Sequence, residues 1–183
     1  MRISVVALLG ATDFARFHVD LVAGLSMTGV PEDAPPLVPV ELSGISRTAY
    51  RVYPIADHIA DKVCALLERH PRPDGGIEQS TRYRDLADLV TFAHSASVDA
   101  DELRRALRSE AGRRQLTLPD HLEVPSSSGW VAGYARVARG APGLEERDLK
   151  SAVASARRFI DLPLAGTASG SWDPAAMAWN PRE

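Results

Sequence analysis

ADHIADKVCALLERH, residues 56–70, predicts an amphipathic α-helix, and the other elements of the chain can be placed around it. At about 100° per residue, Ile55, Ile59, Val63 and Leu66 line up as one apolar stripe. The acidic side chains fall on the opposite side, where we expect water; they are Asp57, Asp61 and Glu68. The pattern is typical of a helix that packs one side against a core.

Lys62 is unusual because it lies at the edge of this stripe. The chain has 21 basic residues, and Lys62 and Lys150 are its only lysines. A lysine at such an edge can extend its ammonium past the apolar surface into water. Alternatively, it faces a polar cleft, where a compact point charge suits a phosphate. Both interpretations stay open at this point.

A second helix is predicted around TRYRDLADL, residues 81–89. Asp85 lies at the border of its apolar side, Arg82 lies one turn earlier, and Asp88 lies farther out. A partly shielded carboxylate near a lysine is the usual equipment of a general base or metal ligand. The plainer alternative is a surface ion pair between Arg82 and Asp85, which would add little stability.

The chain begins with two predicted strands, RISVVALL at residues 2–9 and RFHVDLV at residues 16–22, with a turn at Gly10. Asp20 is an acid inside the second strand. Because acids are disfavoured in strands, it is either an exposed edge residue or a metal ligand. Short strands are expected at PVEL, residues 39–42, and at AYRVYP, residues 49–54.

The remaining segments predict further helices. Ser80 or Thr81 is the expected cap of the second helix, and Asp99 or Asp101 begins a third. Residues 99–114 hold five arginines against four acids, so a solvated face is favoured there and RNA phosphate contact comes second. Two more helices are expected at residues 130–139 and 144–160. In the tail, Trp172, Met177 and Trp179 are expected to dock on the core. Because the predicted strands come first in the chain and the predicted helices follow, the sequence indicates an α+β fold.

Composition narrows the class of protein. The chain of 183 residues is long enough for one core, and its formal charge of −3 argues against a uniformly basic nucleic-acid binder. One cysteine excludes an internal disulfide, and the histidines show no metal-ligand spacing. No stretch approaches the roughly 18 apolar residues of a membrane span, and no signal peptide is recognisable. We therefore expect a cytoplasmic protein without membrane contact.

Three stretches taken together, FARFHVDLV, YPIADHIADKVCALLERH and STRYRDLADLV, resemble the nucleotidyltransferase AbiEii/AbiGii toxin family. The resemblance implies a polymerase-β-like nucleotidyltransferase fold and a role in toxin–antitoxin or phage-defence systems. It also implies transfer of a nucleotide from an NTP to RNA, with tRNA as the expected acceptor. On this basis residues 1–53 are a remnant of the nucleotidyltransferase sheet, residues 54–165 are helical and residues 166–183 are a tail.

The resemblance also implies roles for individual residues. Asp20 matches an acid that binds metal, with Mg²⁺ as the expected cofactor. Lys62 matches the helix lysine that contacts nucleotide phosphates and is counted with the catalytic residues. Asp85 matches the essential acid, a candidate base, and Arg82 a nucleotide-binding position. The role of Asp88 is left open. We expect Lys62, Asp85 and Asp20 to meet in one cleft, with Asp20 on a central strand covered by the two helices.

One part of the family pattern is absent, namely a G-S followed some ten residues later by D-x-D. Asp20 alone cannot hold the two Mg²⁺ ions of phosphoryl transfer, so we expect the chain to be a truncated and inactive form. We also expect the missing motif to be encoded upstream of Met1. The alternatives are a non-catalytic module that binds tRNA or a cognate antitoxin, and a plain structural domain whose candidate residues are surface charges.

Overall fold

The computed structural model describes residues 1–36, 49–71, 75, 77–78 and 80–181. Within these ranges the chain forms five α-helices and four separate two-stranded antiparallel sheets. In chain order the elements are β1 Arg2–Leu9, β2 Thr12–Asp20, β3 Glu32–Ala34, β4 Tyr50–Val52, α1 Ile55–Leu67, β5 His70–Pro71, β6 Ile77–Glu78, α2 Tyr83–Ser95, α3 Ala100–Arg114, α4 Ser128–Arg139, α5 Leu149–Leu164, β7 Ser171–Asp173 and β8 Ala178–Asn180. The fold is mixed α/β, but its described strands do not join into one sheet.

Helices α1 to α5 pack together as the helical body. Helix α1 contacts both α2 and α3, and α2 contacts α4 and α5. The predicted stripe of α1 is buried at Ile59, Val63 and Leu66. Each of these side chains is removed from water almost completely, which is the main source of stability at such positions. No described helix is both long enough and apolar enough to cross a membrane.

The expectation that the acidic side of α1 faces water is wrong for Asp57, which is 4% exposed. Its carboxylate accepts hydrogen bonds of 2.9 Å from the backbone N–H groups of Thr28 and Gly29 and from the Thr28 hydroxyl. These donors replace the hydrogen bonds to water that the carboxylate loses when it is buried. Gly29 is required here because a Cβ atom would lie 2.8 Å from Cβ of Pro54.

Asp61 and Glu68, on the same side of α1, bind Arg114 of α3. The Arg114 guanidinium donates to Asp61 at 2.6 Å and to Glu68 at 2.7 Å, and its Nε donates to Glu110 at 2.6 Å. The Arg114 side chain is 14% exposed. The arginine-rich face predicted to be solvated therefore contributes, at this position, to the contact between α1 and α3.

The beginnings of the helices show where local sequence rules hold. Asp99 caps α3 as expected, since its carboxylate accepts the N–H groups of Asp101 and Glu102. The prediction that Ser80 or Thr81 caps α2 is wrong. The N-cap residue is Arg82, and it makes no side-chain capping hydrogen bond. Helix α5 begins later than predicted, because Asp148 caps it by accepting the N–H of Ser151.

The C-terminal residues pack on the helical body, which confirms the expected docking of Trp172. Its side chain is 1% exposed, and its indole N–H donates to the Ala93 carbonyl at 2.7 Å. The indole N–H of Trp179 donates to the Phe159 carbonyl at 3.0 Å. Strands β7 and β8 carry these two tryptophans in opposed positions, Trp172 facing Trp179.

Strands β1 and β2 form a two-stranded N-terminal ribbon, residues 2–20, which confirms both predicted strands and the turn between them. The expectation of a central strand covered by helices is wrong. All nine residues of β2 are exposed, and neither strand packs extensively on a described helix. Strand β4 lies in the predicted AYRVYP stretch and pairs with β3. The PVEL strand prediction falls outside the described residues.

Candidate functional site

The structure has a cleft of about 890 Å³ beside α1, α2 and α4. We call it the Lys62 cleft. Its charged lining residues come from these three helices and from the residue that precedes α2. They are Lys62, Arg82, Arg84, Asp85, Asp88 and Arg136.

Lys62 is the best-enclosed cation of this cleft. Its ammonium lies 2.9 Å from Oδ1 of Asp85 and 2.7 Å from Oδ2 of Asp88. Asp85 and Asp88 are one turn apart on α2, so both carboxylates can reach one partner. The side chains are 18% exposed for Lys62, 10% for Asp85 and 45% for Asp88. The expected approach of Lys62 to Asp85 is confirmed.

The ammonium of Lys62 is held in its charged form. Burial lowers the pKa of Lys62, but hydrogen bonds to Asp88 and Asp85 outweigh burial, so the pKa lies above its ordinary value. An ammonium has three N–H donors, and the two carboxylates accept from it on the α2 side. The group can therefore offer a further donor to an anion in the cleft.

Arg82 lies where the sequence places it, one turn before Asp85. Its Nη1 is 3.8 Å from Oδ2 of Asp85, and its side chain is 57% exposed. A pair at this distance and exposure contributes little stability. The guanidinium is therefore free to turn toward a ligand at small cost.

Two further arginines of the cleft, Arg84 and Arg136, were missed by the sequence analysis. Both are exposed, and no hydrogen bond or ion pair links either of them to the described chain. Arg84 could have been suspected from its position beside Asp85. Arg136 carried no such signal, because only the packing of α4 on α2 brings it to the cleft.

His58 does not line the Lys62 cleft, but it lies on α1 one helical turn before Lys62. Its ring is 5.0 Å from the Phe92 ring, centroid to centroid. Burial lowers the pKa of His58 most, and the positive charge of Lys62 lowers it further. Nearby acids raise it, but by less. Burial and the lysine charge both disfavour the protonated form of the imidazole.

Asp20 does not line the Lys62 cleft. It ends strand β2 on the N-terminal ribbon, where its carboxylate accepts from Arg2 Nε at 2.7 Å and from Arg2 Nη2 at 3.0 Å. The ion pair with Arg2 holds the pKa of Asp20 below its ordinary value. The expected meeting of Asp20 with Lys62 and Asp85 in one cleft is wrong, because the ribbon is not part of a sheet beneath the helices.

The carboxylates of the described residues do not fit the Mg²⁺ ions that the resemblance implies. Asp85 and Asp88 both bind Lys62, and Asp20 binds Arg2. Across the described ranges, no group of three His, Cys, Asp or Glu side chains is arranged to hold a metal ion. A two-metal centre needs several oxygen ligands at each ion.

In a comparison with known families, the model for the nucleotidyl transferase AbiEii toxin, Type IV TA system, matches residues 2–159. The match includes every charged residue of the Lys62 cleft and confirms the resemblance seen in the sequence. No curated protein and no solved structure matches the chain.

Proposed function

The chain belongs to the nucleotidyl transferase AbiEii toxin family, and on that premise we propose that the Lys62 cleft binds a nucleoside triphosphate through its phosphates. The family chemistry is transfer of a nucleotide from an NTP to RNA, here with tRNA as the expected acceptor, on a polymerase-β-like fold. In this proposal the protein acts in the cytoplasm, a cognate antitoxin is its partner, and this chain binds the nucleotide without transferring it.

The charge distribution of the cleft carries the proposal. Lys62, Arg82, Arg84 and Arg136 supply four cations, whereas Asp85 and Asp88 supply two carboxylates. A concave surface with excess positive charge attracts a polyanion more strongly than the net charge of the whole chain would suggest. A triphosphate is such a polyanion, and arginine forks and a lysine ammonium are its usual partners.

Helix α2 supports the same assignment. It begins at Tyr83 in the cleft, and its N-cap residue makes no side-chain capping hydrogen bond. The positive end of a helix dipole favours an anion at that place. In this arrangement Asp85 and Asp88 position the Lys62 ammonium, and Lys62, Arg82 and the start of α2 face the phosphates together.

We propose that the chain does not transfer the nucleotide because of where its carboxylates lie. Two-metal transfer needs acids that fix Mg²⁺ beside the nucleotide. In the described chain Asp20 is on the N-terminal ribbon and the two acids of the cleft are committed to Lys62. We therefore assign no step to a metal ion.

NTP binding tests the first half of the proposal. Isothermal titration with each ribonucleoside triphosphate should give a Kd that rises at least about fivefold in Arg136→Ala, because one charge-assisted contact is lost. Arg139→Ala is the matched control, since Arg139 is exposed on the same helix and does not line the cleft. Absence of NTP binding, or an equal loss in Arg139→Ala, would contradict the proposal.

Nucleotide transfer tests the second half. The chain is incubated with α-labelled NTPs, Mg²⁺ and total tRNA, beside an Asp85→Asn control that keeps the shape of the side chain. We expect no label in RNA above that control. Incorporation that depends on Asp85 would show that the chain is an active nucleotidyltransferase.

Arg84 and Arg136 favour a second candidate, a non-catalytic module that binds tRNA. Exposed arginines that have no partner among the described residues suit contact with an RNA backbone, and such contact weakens steeply with salt. Salt-sensitive binding of tRNA together with no binding of any NTP would select this candidate over the first.

A further inference from the structure

Helices α2 and α4 meet at a close contact beside the Lys62 cleft. Gly133 of α4 is buried against the ring of Tyr83, the first residue of α2. A Cβ atom at Gly133 would lie between 2.4 and 2.7 Å from three atoms of that ring. Carbon atoms in contact are about 3.5–4.0 Å apart, so a Cβ would lie about 1 Å too close. The absence of a side chain at Gly133 therefore sets how near α4 comes to α2.

The ring of Tyr83 is held in place on its other side by Trp130. The two rings meet edge to face with their centroids 4.8 Å apart, which is an arrangement that aromatic pairs prefer. Trp130 is itself fixed, because it is 2% exposed and its indole N–H donates to the Ser80 carbonyl at 2.6 Å. A group added at Gly133 would therefore push α4 away from a ring that has a fixed neighbour behind it.

This contact lies next to three of the four cations of the cleft. Arg82 and Arg84 flank Tyr83 in the chain, and Arg136 follows Gly133 by one turn of α4. Residues three apart on a helix lie on the same side of it, and Arg136 lines the cleft together with Tyr83. A shift of α4 away from α2 would therefore carry Arg136 away from the two arginines at the start of α2.

We propose that Gly133 and Tyr83 are positioning residues of the Lys62 cleft, and that their contact fixes where Arg136 meets the phosphates of a bound nucleotide. The inference rests on the proposed binding of a nucleoside triphosphate. The groups of a binding site must be held within about 0.5 Å of their working geometry. The displacement of about 1 Å that a Cβ would cause exceeds this tolerance. Gly133 acts through Arg136 and need not touch the nucleotide.

A double-mutant cycle tests the proposal. Isothermal titration with the four ribonucleoside triphosphates should give a Kd at least about fivefold higher in Gly133→Ala, because Arg136 is displaced. Tyr83→Leu removes the ring atoms that a Cβ would meet. In that background, Gly133→Ala should raise the Kd less than about twofold, because the obstacle is gone. A general loss of stability would not depend on Tyr83 in this way.

Gly129→Ala is the matched control. Gly129 is on the same helix, and a Cβ there would meet the Ser127 hydroxyl oxygen at 3.9 Å, which is an ordinary contact. Both substitutions replace a helical glycine by alanine, which favours the helix, so neither weakens α4 itself. Gly129→Ala should leave the Kd unchanged. A loss of affinity equal to that of Gly133→Ala would overturn the proposal.

Crystal structures of the variants give a readout that needs no nucleotide. When the structures are superposed on α1 and α2, Gly133→Ala should move the Cα atom of Arg136 by about 1 Å, which relieves the close contact. Gly129→Ala should not move it. If Gly133→Ala does not fold, as judged by circular dichroism, Tyr83→Leu carries the test alone. It should raise the Kd at least about threefold, because α4 loses the ring that holds it in place.

Three further results would overturn the proposal while the proposed function stands, because the wild type would still bind a nucleotide. The first is an unmoved Arg136 in Gly133→Ala. The second is an unchanged Kd in Gly133→Ala or in Tyr83→Leu, and the third is a fivefold loss that persists when Tyr83 is leucine. Absence of NTP binding by the wild type would instead overturn the proposed function, and the positioning role with it.

Discussion

Two ion pairs of this protein have nearly the same length and very different surroundings. Lys62 and Asp85 are 2.9 Å apart with side chains 18% and 10% exposed, whereas Arg2 and Asp20 are 2.7 Å apart with side chains 65% and 59% exposed. Water screens the second pair and weakens its attraction, but it reaches the first pair only in part. Distance does not distinguish the two pairs, and burial does.

The contrast extends to the two regions that hold these pairs. In the helical body, α1 is enclosed by α2 and α3, so its charged side chains must find partners inside the fold. Among the described elements, the N-terminal ribbon packs extensively only on itself, and its charged side chains are exposed to water. The helical body can therefore position a charge for binding, whereas the ribbon offers an apolar surface.

The largest expected difference between the regions concerns apolar side chains. Leu66→Ala should lower the free energy of unfolding by roughly 2–5 kcal/mol, because Leu66 is 1% exposed and a cavity would remain. Leu9→Ala, at a position 73% exposed, should change it by about 0.5 kcal/mol or less. Urea denaturation followed by tryptophan emission measures both. Equal losses would show that the ribbon is as well packed as the helical body.

The next effect concerns the two lysines. Lys62→Met should lower the free energy of unfolding by about 2 kcal/mol, because Asp85 would keep a shielded charge without its lysine partner. Lys150 is exposed near the start of α5, and Lys150→Met is the matched control, with little expected effect. If both variants were equally stable, Lys62 would be a surface lysine and the contrast with Arg2 would disappear.

The pH dependence sharpens the contrast further. Burial and Lys62 lower the pKa of His58 in the folded chain from its ordinary value of 6.5. As pH falls, His58 is therefore protonated in the unfolded chain before it is protonated in the folded chain. The stability present above pH 6.5 is lost as pH falls from 6.5 through the pKa of the folded chain. Denaturation at pH 7.5 and at lower pH should show a smaller loss in His58→Gln than in the wild type. An identical pH dependence would mean that His58 is solvated.

The smallest effect is expected for the ribbon ion pair. Arg2→Met should leave the free energy of unfolding nearly unchanged, because an exposed pair contributes little. The same urea titration measures this variant beside Lys62→Met. A loss as large as that of Lys62→Met would mean that the pair at Asp20 is shielded from water, and that the ribbon is covered in solution.

Much of the helical body followed from the sequence. The apolar spacing in residues 56–70 located α1, and the spacing after Thr81 located α2. The approach of Lys62 to Asp85 also followed, from a resemblance to known proteins rather than from spacing. The position of His58 one turn before Lys62 followed as well, because both residues lie on a correctly predicted helix. Arg136 could not, because nothing in the sequence around α4 indicates which helix it meets.

The errors share one cause. Asp57 was placed in water from its position on α1, yet a distant segment supplies Thr28 and Gly29 as its donors. Asp20 was placed on a central strand from the resemblance, yet that strand has one neighbour and no cover in the described chain. In both cases solvent exposure was predicted without the neighbours that pack around the residue, and exposure depends on those neighbours.

The sequence by itself determined the helices, the strands of the ribbon and the Asp99 cap, because these depend on residues a few positions apart. The tertiary structure alone decided which charges lose water. It buried Asp57, enclosed Lys62 between two carboxylates, brought Arg136 to their cleft and left Asp20 exposed with Arg2. The physical reason is that the strength of a charge interaction depends on the water around it, and that water is removed by elements far apart in the chain.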